Sequence, residues 1–418
     1  MRCRALGVFF RFICLCVLIS ITGIGRAQVV PNQKKTPVKK YKPPIYGIDV
    51  TPADVNFEDY LYVLRDKRVA LVMNQTSRIG YASLLDTLLS LNINVKKIFV
   101  PEHGFRGIVD AGSKVESYDD STTGIPVISL YGDNKKPTEA QLKNIDVMVY
   151  DLQDVGVRFF TYISTLEYTM EACAENNIDY MILDRPNPNG FYVDGPVLDP
   201  SVKSIVGMQR IPIVYGMTAG EYGKMLVGEH LFHNAEKARL RVVRCHNYEH
   251  KTKYRLSIPP SPNLKSMTAV YAYPSMCLFE GTQVSVGRGT YLPFQIWGHP
   301  DYANVFKYTF IPRSTVGAKN PLYQDKTCYG EMVGANEDDV LKKINNKVRL
   351  NWLIKAYTAF RFQDKFFNAF FVKLAGSTQL EQQIRTGVSE ADIRKTWEPD
   401  LKAFKQIRKK YLLYRDFE

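Results

Sequence analysis

Short apolar runs alternate with amphipathic segments between residues 45 and 200 of the chain. Five of these runs have the length and composition of buried strands: residues 68–73, 95–100, 126–131, 146–150 and 180–183. Three intervening segments repeat apolar residues at helical spacing: residues 83–91, 138–145 and 163–176. The alternation predicts consecutive βα units, which build a parallel sheet covered by helices. We therefore expect an α/β fold with a doubly wound sheet over residues 45–200.

The pattern after residue 200 is less regular, and the 418 residues are enough for two or more domains. Thr218, followed three residues later by Glu221, predicts the capped start of a helix. Residues 240–245 have the pattern of a further strand, and the tail from residue 351 is mostly helical in pattern.

Polar residues follow four of the predicted strands at the same point of each βα unit. Asn74, Glu102, Asp151 and Asp184 each come just after an apolar run. The carboxyl ends of strands in an open parallel sheet form the crevice in which ligands bind. We expect these four side chains to share a functional edge, although turns and helix caps use the same residue types.

The amino-terminal 27 residues have the layout of a cleaved secretory signal peptide, with a basic start, an apolar run and small residues before the cut. An uncleaved membrane anchor is the alternative, but Arg11 interrupts the apolar run and leaves it short for a bilayer span. Residues 28–44 are rich in proline and lysine and predict a disordered basic linker. We expect an exported protein, periplasmic or secreted, without stable membrane insertion after cleavage.

The net charge of +13 is concentrated near the amino terminus, where residues 1–44 hold nine basic and no acidic residues. The basic composition therefore gives no reason to expect a nucleic-acid partner. Four cysteines follow the predicted signal peptide: Cys173, Cys245, Cys277 and Cys328. Their wide spacing excludes a ribbon-type zinc site, and both disulfides and buried free thiols remain open.

Several common motifs are absent from the sequence. It has no Gly-x-Gly-x-x-Gly after the first strand and no phosphate-binding Gly-Lys-Ser/Thr, which argues against a dinucleotide or nucleoside triphosphate enzyme. It also lacks the Gly-x-Ser-x-Gly elbow and the His-Glu-x-x-His zinc motif. We expect no cofactor and no metal, although Asp151 and Asp154 have a spacing that metal ligands also use.

Glu102 is the best single candidate for a catalytic group. It lies between Pro101 and His103 in a constrained segment, where a partly desolvated carboxylic acid can donate a proton. It could instead be an ion-pair partner or part of the following turn, and His103 could orient it, bind substrate or be structural. Glycoside hydrolysis commonly uses two carboxylates, and Asp151 could supply the second.

Six strings occur in a fixed order along the chain: Asn74-Gln-Thr-Ser, Pro101-Glu-His-Gly-Phe-Arg-Gly, Asp151-Leu-Gln-Asp-Val-Gly-Val-Arg-Phe, Leu183-Asp-Arg-Pro-Asn-Pro, Phe279-Glu-Gly-Thr and Ser285-Val-Gly-Arg-Gly-Thr. Together they closely resemble the bacterial exo-β-N-acetylmuramidase family. The resemblance runs from about Tyr46 to the carboxyl-terminal Lys-Tyr-Leu-Leu-Tyr.

The resemblance implies a Rossmann-like catalytic domain over residues 45–200 and a smaller carboxyl-terminal α/β domain over residues 201–418 that completes a cleft. It implies release of N-acetylmuramic acid from the non-reducing end of peptidoglycan fragments, with Glu102 as the catalytic glutamate. His103 and Asp151 are further catalytic candidates. The other motif residues are implied to bind substrate: Asn74, Gln75, Arg158, Tyr162, Asp184, Arg185, Glu280 and Arg288.

An arginine in the cleft would suit the lactyl carboxylate of muramic acid, which a guanidinium can bind through two hydrogen bonds. Two alternatives stay open at this point. The protein could bind muropeptides or sugars in the envelope without cleaving them, or it could hydrolyse another cell-wall sugar.

Overall fold

The computed structural model describes residues 50–107, 110 and 116–418. The predicted signal peptide and linker lie outside these residues. The strands are β1 Arg68–Met73, β2 Arg78–Ile79, β3 Ala82–Ser83, β4 Asn94–Val100, β5 Tyr118–Asp119, β6 Pro126–Ser129, β7 Val147–Asp151, β8 Asp179–Leu183, β9 Asp194–Val197, β10 Pro212–Val214, β11 Leu240–Val243, β12 Ile296–His299, β13 Tyr308–Phe310 and β14 Cys328–Met332. The α-helices are α1 Leu61–Leu64, α2 Leu84–Ser90, α3 Glu139–Leu142, α4 Tyr162–Glu175, α5 Ala219–Gly228, α6 Met267–Met276, α7 Glu337–Ile344, α8 Asn351–Ala359, α9 Phe370–Ala375, α10 Gln379–Arg385 and α11 Glu390–Lys409.

The largest sheet contains seven strands in the order β11-β8-β7-β1-β4-β6-β5. Its first six strands are parallel, and β5 pairs with β6 in the antiparallel direction. The chain moves from β1 through β4 to β6 on one side, then returns to β7 and continues to β8 and β11 on the other. The strand order therefore reverses between β1 and β7, which is the topological switch point of a doubly wound sheet. The predicted Rossmann-like fold class is confirmed.

Alternate side chains of β1 face opposite sides of this sheet, because successive residues of a strand point in opposite directions. Val72 packs in the core that α4 and α5 cover, whereas Leu71 packs in the core that α2 covers. Both cores are apolar, so the central strands contain almost continuous hydrophobic residues, as the sequence pattern predicted.

The predicted helix starts are also present. The Ser83 side chain caps α2 by accepting a hydrogen bond from the backbone of Asp86. Thr218 and Glu221 form the predicted capping box at the start of α5, in which each side chain accepts from the other residue's backbone. These local bonds fix where each helix leaves the carboxyl edge of the sheet.

The carboxyl-terminal part is a smaller region with a three-stranded antiparallel sheet, in the order β12-β14-β13, and helices α6 to α11. Its apolar side chains, such as Trp297 and Phe371, belong to the same hydrophobic cluster as Val72 and Phe99 of the large sheet. The strand β11, from beyond residue 200, pairs with β8 in that sheet. The boundary after residue 200 stays a prediction.

The four cysteines that follow the predicted signal peptide are buried free thiols. This outcome matches one of the two alternatives that their spacing left open. None of the helices within residues 50–107, 110 and 116–418 is long and apolar enough to cross a membrane.

The packing of α4 against α5 buries one carboxyl group, which yields a prediction about stability. Glu167 of α4 accepts a hydrogen bond of 2.6 Å from Gln209 Nε2, and burial raises its pKa to about 7. An acid with a raised pKa holds its proton more tightly in the folded state. Its contribution to stability is therefore complete below about pH 4.5 and is lost as the pH rises through about 7.

We expect Glu167→Gln to remove this part of the pH dependence, which is on the order of 2 kcal/mol between pH 5 and pH 8. Urea unfolding of both proteins at the two pH values measures it. Other buried carboxyl groups titrate in both proteins. The difference in pH dependence between the wild-type protein and Glu167→Gln therefore reports on Glu167 alone. Equal pH dependence in the two proteins would contradict the prediction.

Candidate active site

Glu102 lies in the turn that follows β4, at the carboxyl edge of the large sheet. His103 and Gly104 both have a positive φ of 73°, so the chain reverses sharply here. The Thr161 hydroxyl, directly before α4, donates a hydrogen bond of 2.9 Å to Glu102 Oε2. Glu102 and His103 both line a cleft with a volume of about 590 Å³.

This cleft has one wall from the sheet edge and one from the carboxyl-terminal region. Its aromatic residues are Tyr131, Phe159, Phe160, Tyr162, Tyr273, Phe294 and Phe370. The polar residues lining it include Glu102, His103, Asp110, Thr161, Ser261, Glu280, Arg288, Lys319 and Asn320. Apolar ring faces beside convergent polar groups are typical of a site for a small, partly polar ligand such as a sugar.

A chain of hydrogen bonds supports the wall beside Glu102. The buried Tyr162 hydroxyl donates to the Pro260 carbonyl at 2.8 Å and accepts from Asn74 Nδ2 at 2.8 Å. Gln75 Nε2 donates to the Pro259 carbonyl at 3.1 Å. Gly107 packs against this amide at a positive φ of 67°, a conformation that favours glycine over other residues. Asn74 and Gln75 thus fix the loop at 259–260 rather than line the cleft.

Glu280 and Arg288 lie side by side in the opposite wall. Arg288 Nε donates to Glu280 Oε1 at 2.5 Å, and the guanidinium carbon lies 5.0 Å from the centroid of the Phe294 ring. About a quarter of each side chain is exposed, 22% for Glu280 and 24% for Arg288. The pair is therefore held in place yet still reaches the solvent of the cleft.

Asp151 and Arg185 lie at the same edge of the sheet but do not line this cleft. Asp151 is completely buried and accepts two hydrogen bonds from Arg185, at 2.6 Å from Nε and 3.0 Å from Nη2. Arg185 Nη2 also donates to Asp54 Oδ2 at 2.7 Å. Burial raises the pKa of Asp54 to about 7, against the opposing effect of Arg185. Because the Asp151 carboxylate is already paired, its placement does not favour the predicted role as the second catalytic carboxylate.

Arg158 and Asp184 lie within the protein interior and connect chain segments. Arg158 is fully buried, and its guanidinium donates to the carbonyls of Pro196, Ile211 and Leu374. Asp184 accepts from backbone and side-chain groups at the start of α5 and from the Tyr414 hydroxyl at 2.6 Å. Burial raises the pKa of Asp184 to about 6. Neither side chain lines the cleft.

The cleft thus brings together five of the predicted site residues: Glu102, His103, Tyr162, Glu280 and Arg288. The cleft also contains Thr161, Tyr273 and Phe294, which the sequence did not predict as site residues. Thr161 could have been predicted, because it lies between the aromatic residues Phe159 and Phe160 and the predicted site residue Tyr162. Phe294 follows the motif that contains Arg288, but no sequence motif includes it.

One group of side chains in the described ranges has ligand atoms close enough together to hold a metal ion. Glu171, Glu175 and His233 place one such atom each within 4.8 Å of the others. Lys136 Nζ already pairs with both glutamates, at 3.1 Å and 2.8 Å, and none of the three lines the cleft.

A doubly wound sheet with a carboxylate beside aromatic faces in a polar cleft is the kind of architecture on which glycosidases can be built. Two family models match the chain: the amino-terminal domain of exo-β-N-acetylmuramidase NamZ over residues 69–268, and the carboxyl-terminal domain over residues 271–414. The chain belongs to this family and is therefore a glycosidase.

Individual relatives agree with this assignment. The chain is 35% identical to the peptidoglycan β-N-acetylmuramidase NamZ of Bacillus subtilis strain 168, over 96% of this chain and 99% of the relative. A DUF1343 family protein from Bacteroides fragilis has a crystal structure with a TM-score of 0.81 and 46% identity, covering 88% of this chain and 99% of that one. A second from the same organism has a TM-score of 0.72 and 29% identity over the same shares.

The different environments of Arg185 and Arg288 lead to a prediction. We expect Arg185→Met to lower the free energy of unfolding by about 3–5 kcal/mol, because it leaves two buried carboxylates without a counter-charge. Arg288→Met, the control, should cost less than about 1 kcal/mol, since its ion pair is partly exposed. Urea unfolding at pH 7 measures both, and equal losses would contradict the distinction.

Proposed function

We propose that this enzyme releases N-acetylmuramic acid from the non-reducing end of peptidoglycan fragments, with Glu102 as the proton donor. The observation that carries the proposal is the position of Glu102 in a cleft that also contains aromatic faces and Arg288. The relative from Bacillus subtilis is named a peptidoglycan β-N-acetylmuramidase, which supports the same substrate class here.

Glu102 would act on the oxygen that leaves the muramic acid carbon. As the bond between that carbon and the glycosidic oxygen breaks, the carboxylic acid gives its proton to the oxygen, and the shortened fragment departs as an alcohol. Water then supplies the hydroxyl of the released sugar, and the proton that this water loses restores the carboxylic acid of Glu102. The hydrogen bond from the Thr161 hydroxyl to Oε2 helps to hold the carboxyl group in position at the cleft.

Arg288 is the arginine best placed to bind the lactyl carboxylate. Arg158 and Arg185 are buried, and the guanidinium of each is bonded to protein oxygens. Arg288 uses Nε for Glu280, and its terminal nitrogens have no hydrogen-bond partner among the residues that the structure describes. A planar guanidinium can bind a carboxylate through two such nitrogens.

Glu280, rather than Asp151, is the second of the predicted carboxylates that lines the cleft with Glu102. It lines the cleft opposite Glu102 and fixes the orientation of Arg288 through the 2.5 Å hydrogen bond. Asp151 contributes indirectly, because its ion pair with Arg185 joins the end of β7 to the segment that follows β8.

We further propose that the protein is exported and acts in the periplasm or outside the cell. The proposal is supported by the signal-peptide pattern of residues 1–27. It also agrees with a polymer substrate that lies beyond the cytoplasmic membrane.

Replacement of the proton donor should affect substrates according to their leaving groups. We expect Glu102→Gln to lower turnover of the disaccharide N-acetylmuramyl-N-acetylglucosamine by about 10²–10⁴-fold, because a sugar alcohol leaves poorly without a proton. A 4-nitrophenyl muramic acid glycoside should lose far less, since nitrophenolate departs unaided. Mass spectrometry and absorbance follow the two reactions.

Glu58→Gln, a change of the same type outside the cleft, is the control and should behave as wild type. Near wild-type disaccharide turnover by folded Glu102→Gln would rule out the proton-donor role. Saturable binding by the wild-type protein without any product would favour a non-catalytic sugar-binding protein instead.

Loss of the guanidinium should change the choice of sugar. We expect Arg288→Met to reduce the preference for a muramic acid glycoside over the matching N-acetylglucosamine glycoside by about ten- to a hundredfold. The latter lacks the lactyl group and so should react at an unchanged low rate. The ratio of kcat/KM values measures the effect, and an unchanged ratio would show that another group binds the lactyl carboxylate.

A further inference from the structure

A second cavity opens at the carboxyl edge of the large sheet, where the strand order reverses between β1 and β7. Its volume is about 390 Å³. Thr76 follows β1, Gln153 follows β7 and Arg185 follows β8, and all three line the cavity. In doubly wound proteins, ligands bind at the carboxyl ends of the strands beside this reversal. The position therefore marks the cavity as a candidate binding site in its own right.

One fixed loop separates this cavity from the cleft that contains Glu102. Ser257 and Ile258 line the second cavity, whereas Ser261 lines the cleft. Between the two cavities, Tyr162 bonds to Asn74, whose Oδ1 accepts from the Thr76 backbone at 2.9 Å. The two cavities therefore lie on either side of the segment formed by residues 257–261.

Asp54 lines the second cavity, and one of its two buried carboxyl oxygens lacks a hydrogen-bond donor. Asp54 is completely buried, and its Oδ2 accepts from Arg185. Its Oδ1 has no hydrogen-bond partner within residues 50–107, 110 and 116–418. A buried acceptor without a donor is destabilising, and a ligand hydroxyl would supply the missing donor. Burial raises the pKa of Asp54 to about 7, so Asp54, Asp151 and Arg185 together are neutral or singly negative near neutral pH, and a neutral ligand fits better than an anion.

An aromatic ring stands at the rim of the same cavity. Tyr81 lies in the turn between β2 and β3, and 98% of its side chain is exposed. Gly80 precedes it with a positive φ of 60°, which lets the hairpin close tightly. A fully exposed ring contributes little to the packing of the protein. A flat apolar face beside a hydroxyl acceptor is, however, well suited to contact a sugar ring.

We propose that the second cavity binds a sugar unit of the fragment on the leaving side of the cleaved bond. Asp54 Oδ1 accepts a hydrogen bond from a sugar hydroxyl, and the ring of Tyr81 packs against the face of a sugar. The proposal rests on the proposed function, because an enzyme that removes the terminal sugar leaves the remaining chain outside its catalytic cleft.

Tyr81→Ala tests the proposal without disturbing the fold, because the side chain is exposed. Two substrates are compared: peptide-free glycan strands of several disaccharides that begin with muramic acid, and the 4-nitrophenyl muramic acid glycoside. We expect KM for the strands to rise about tenfold while kcat stays the same. The small glycoside should react normally, since it ends within the cleft.

Two further variants make the comparison specific. Tyr81→Phe keeps the ring and should retain the wild-type KM for strands. Tyr62→Ala removes another exposed tyrosine that lines neither cavity and should also behave as wild type. An unchanged KM for strands in Tyr81→Ala, or an equal rise in KM for both substrates, would overturn the proposal.

The test of the second cavity can be distinguished from the test of the proposed function. If the wild-type protein cleaved neither substrate, the proposed function would fail, and titration with triacetylchitotriose would decide the second site alone. Binding that Tyr81→Ala weakens about tenfold would support it. Equal affinity in the two proteins, or no binding by wild type, would overturn it.

Discussion

Two buried carboxylates, Asp54 and Asp151, share the single guanidinium of Arg185 beneath the carboxyl edge of the large sheet. Separating these charges in the interior would cost several kcal/mol, so their pairing constrains every segment that carries one of them. The constraint ties the segment before α1 to the ends of β7 and β8. This ion-paired group, Asp54, Asp151 and Arg185, is called the buried base of the sheet edge, and the other residues of the edge pack around it.

This base explains why polar residues at one sheet edge have different roles. Asp151 and Asp184 satisfy buried hydrogen-bond donors and hold chain segments together. Glu102 lies further along the same edge, after β4, where the carboxyl-terminal region leaves an open cleft rather than packing against the sheet. The Glu102 carboxyl group faces the cleft and can transfer a proton to a ligand there, whereas the Asp151 carboxylate is bonded to Arg185 and does not line the cleft.

The sequence predicted the elements whose signals are local. The apolar runs of the parallel strands and the capping box at Thr218 depend on residues a few positions apart, so composition and spacing are sufficient. The family resemblance predicted functional roles for Glu102, Glu280 and Arg288, and all three side chains line one cleft.

The partners of buried polar groups could not be predicted in the same way. Asp54 and Arg185 are 131 positions apart, and neither has a pattern that points to the other. Arg158 is held by three backbone carbonyls, which any residue possesses and no motif reveals. A motif can therefore identify residues that a fold requires without showing which of them touch the substrate.

We propose that Glu102 and Arg288 contact the same sugar from opposite walls of the cleft. A crystal structure of the Glu102→Gln variant with N-acetylmuramyl-N-acetylglucosamine would show both contacts in one complex. We expect the Gln side chain within hydrogen-bond distance of the glycosidic oxygen and the Arg288 guanidinium on the lactyl carboxylate. A disaccharide bound with its glycosidic oxygen away from residue 102, or with its lactyl group on another cation, would show that the proposed contacts are wrong.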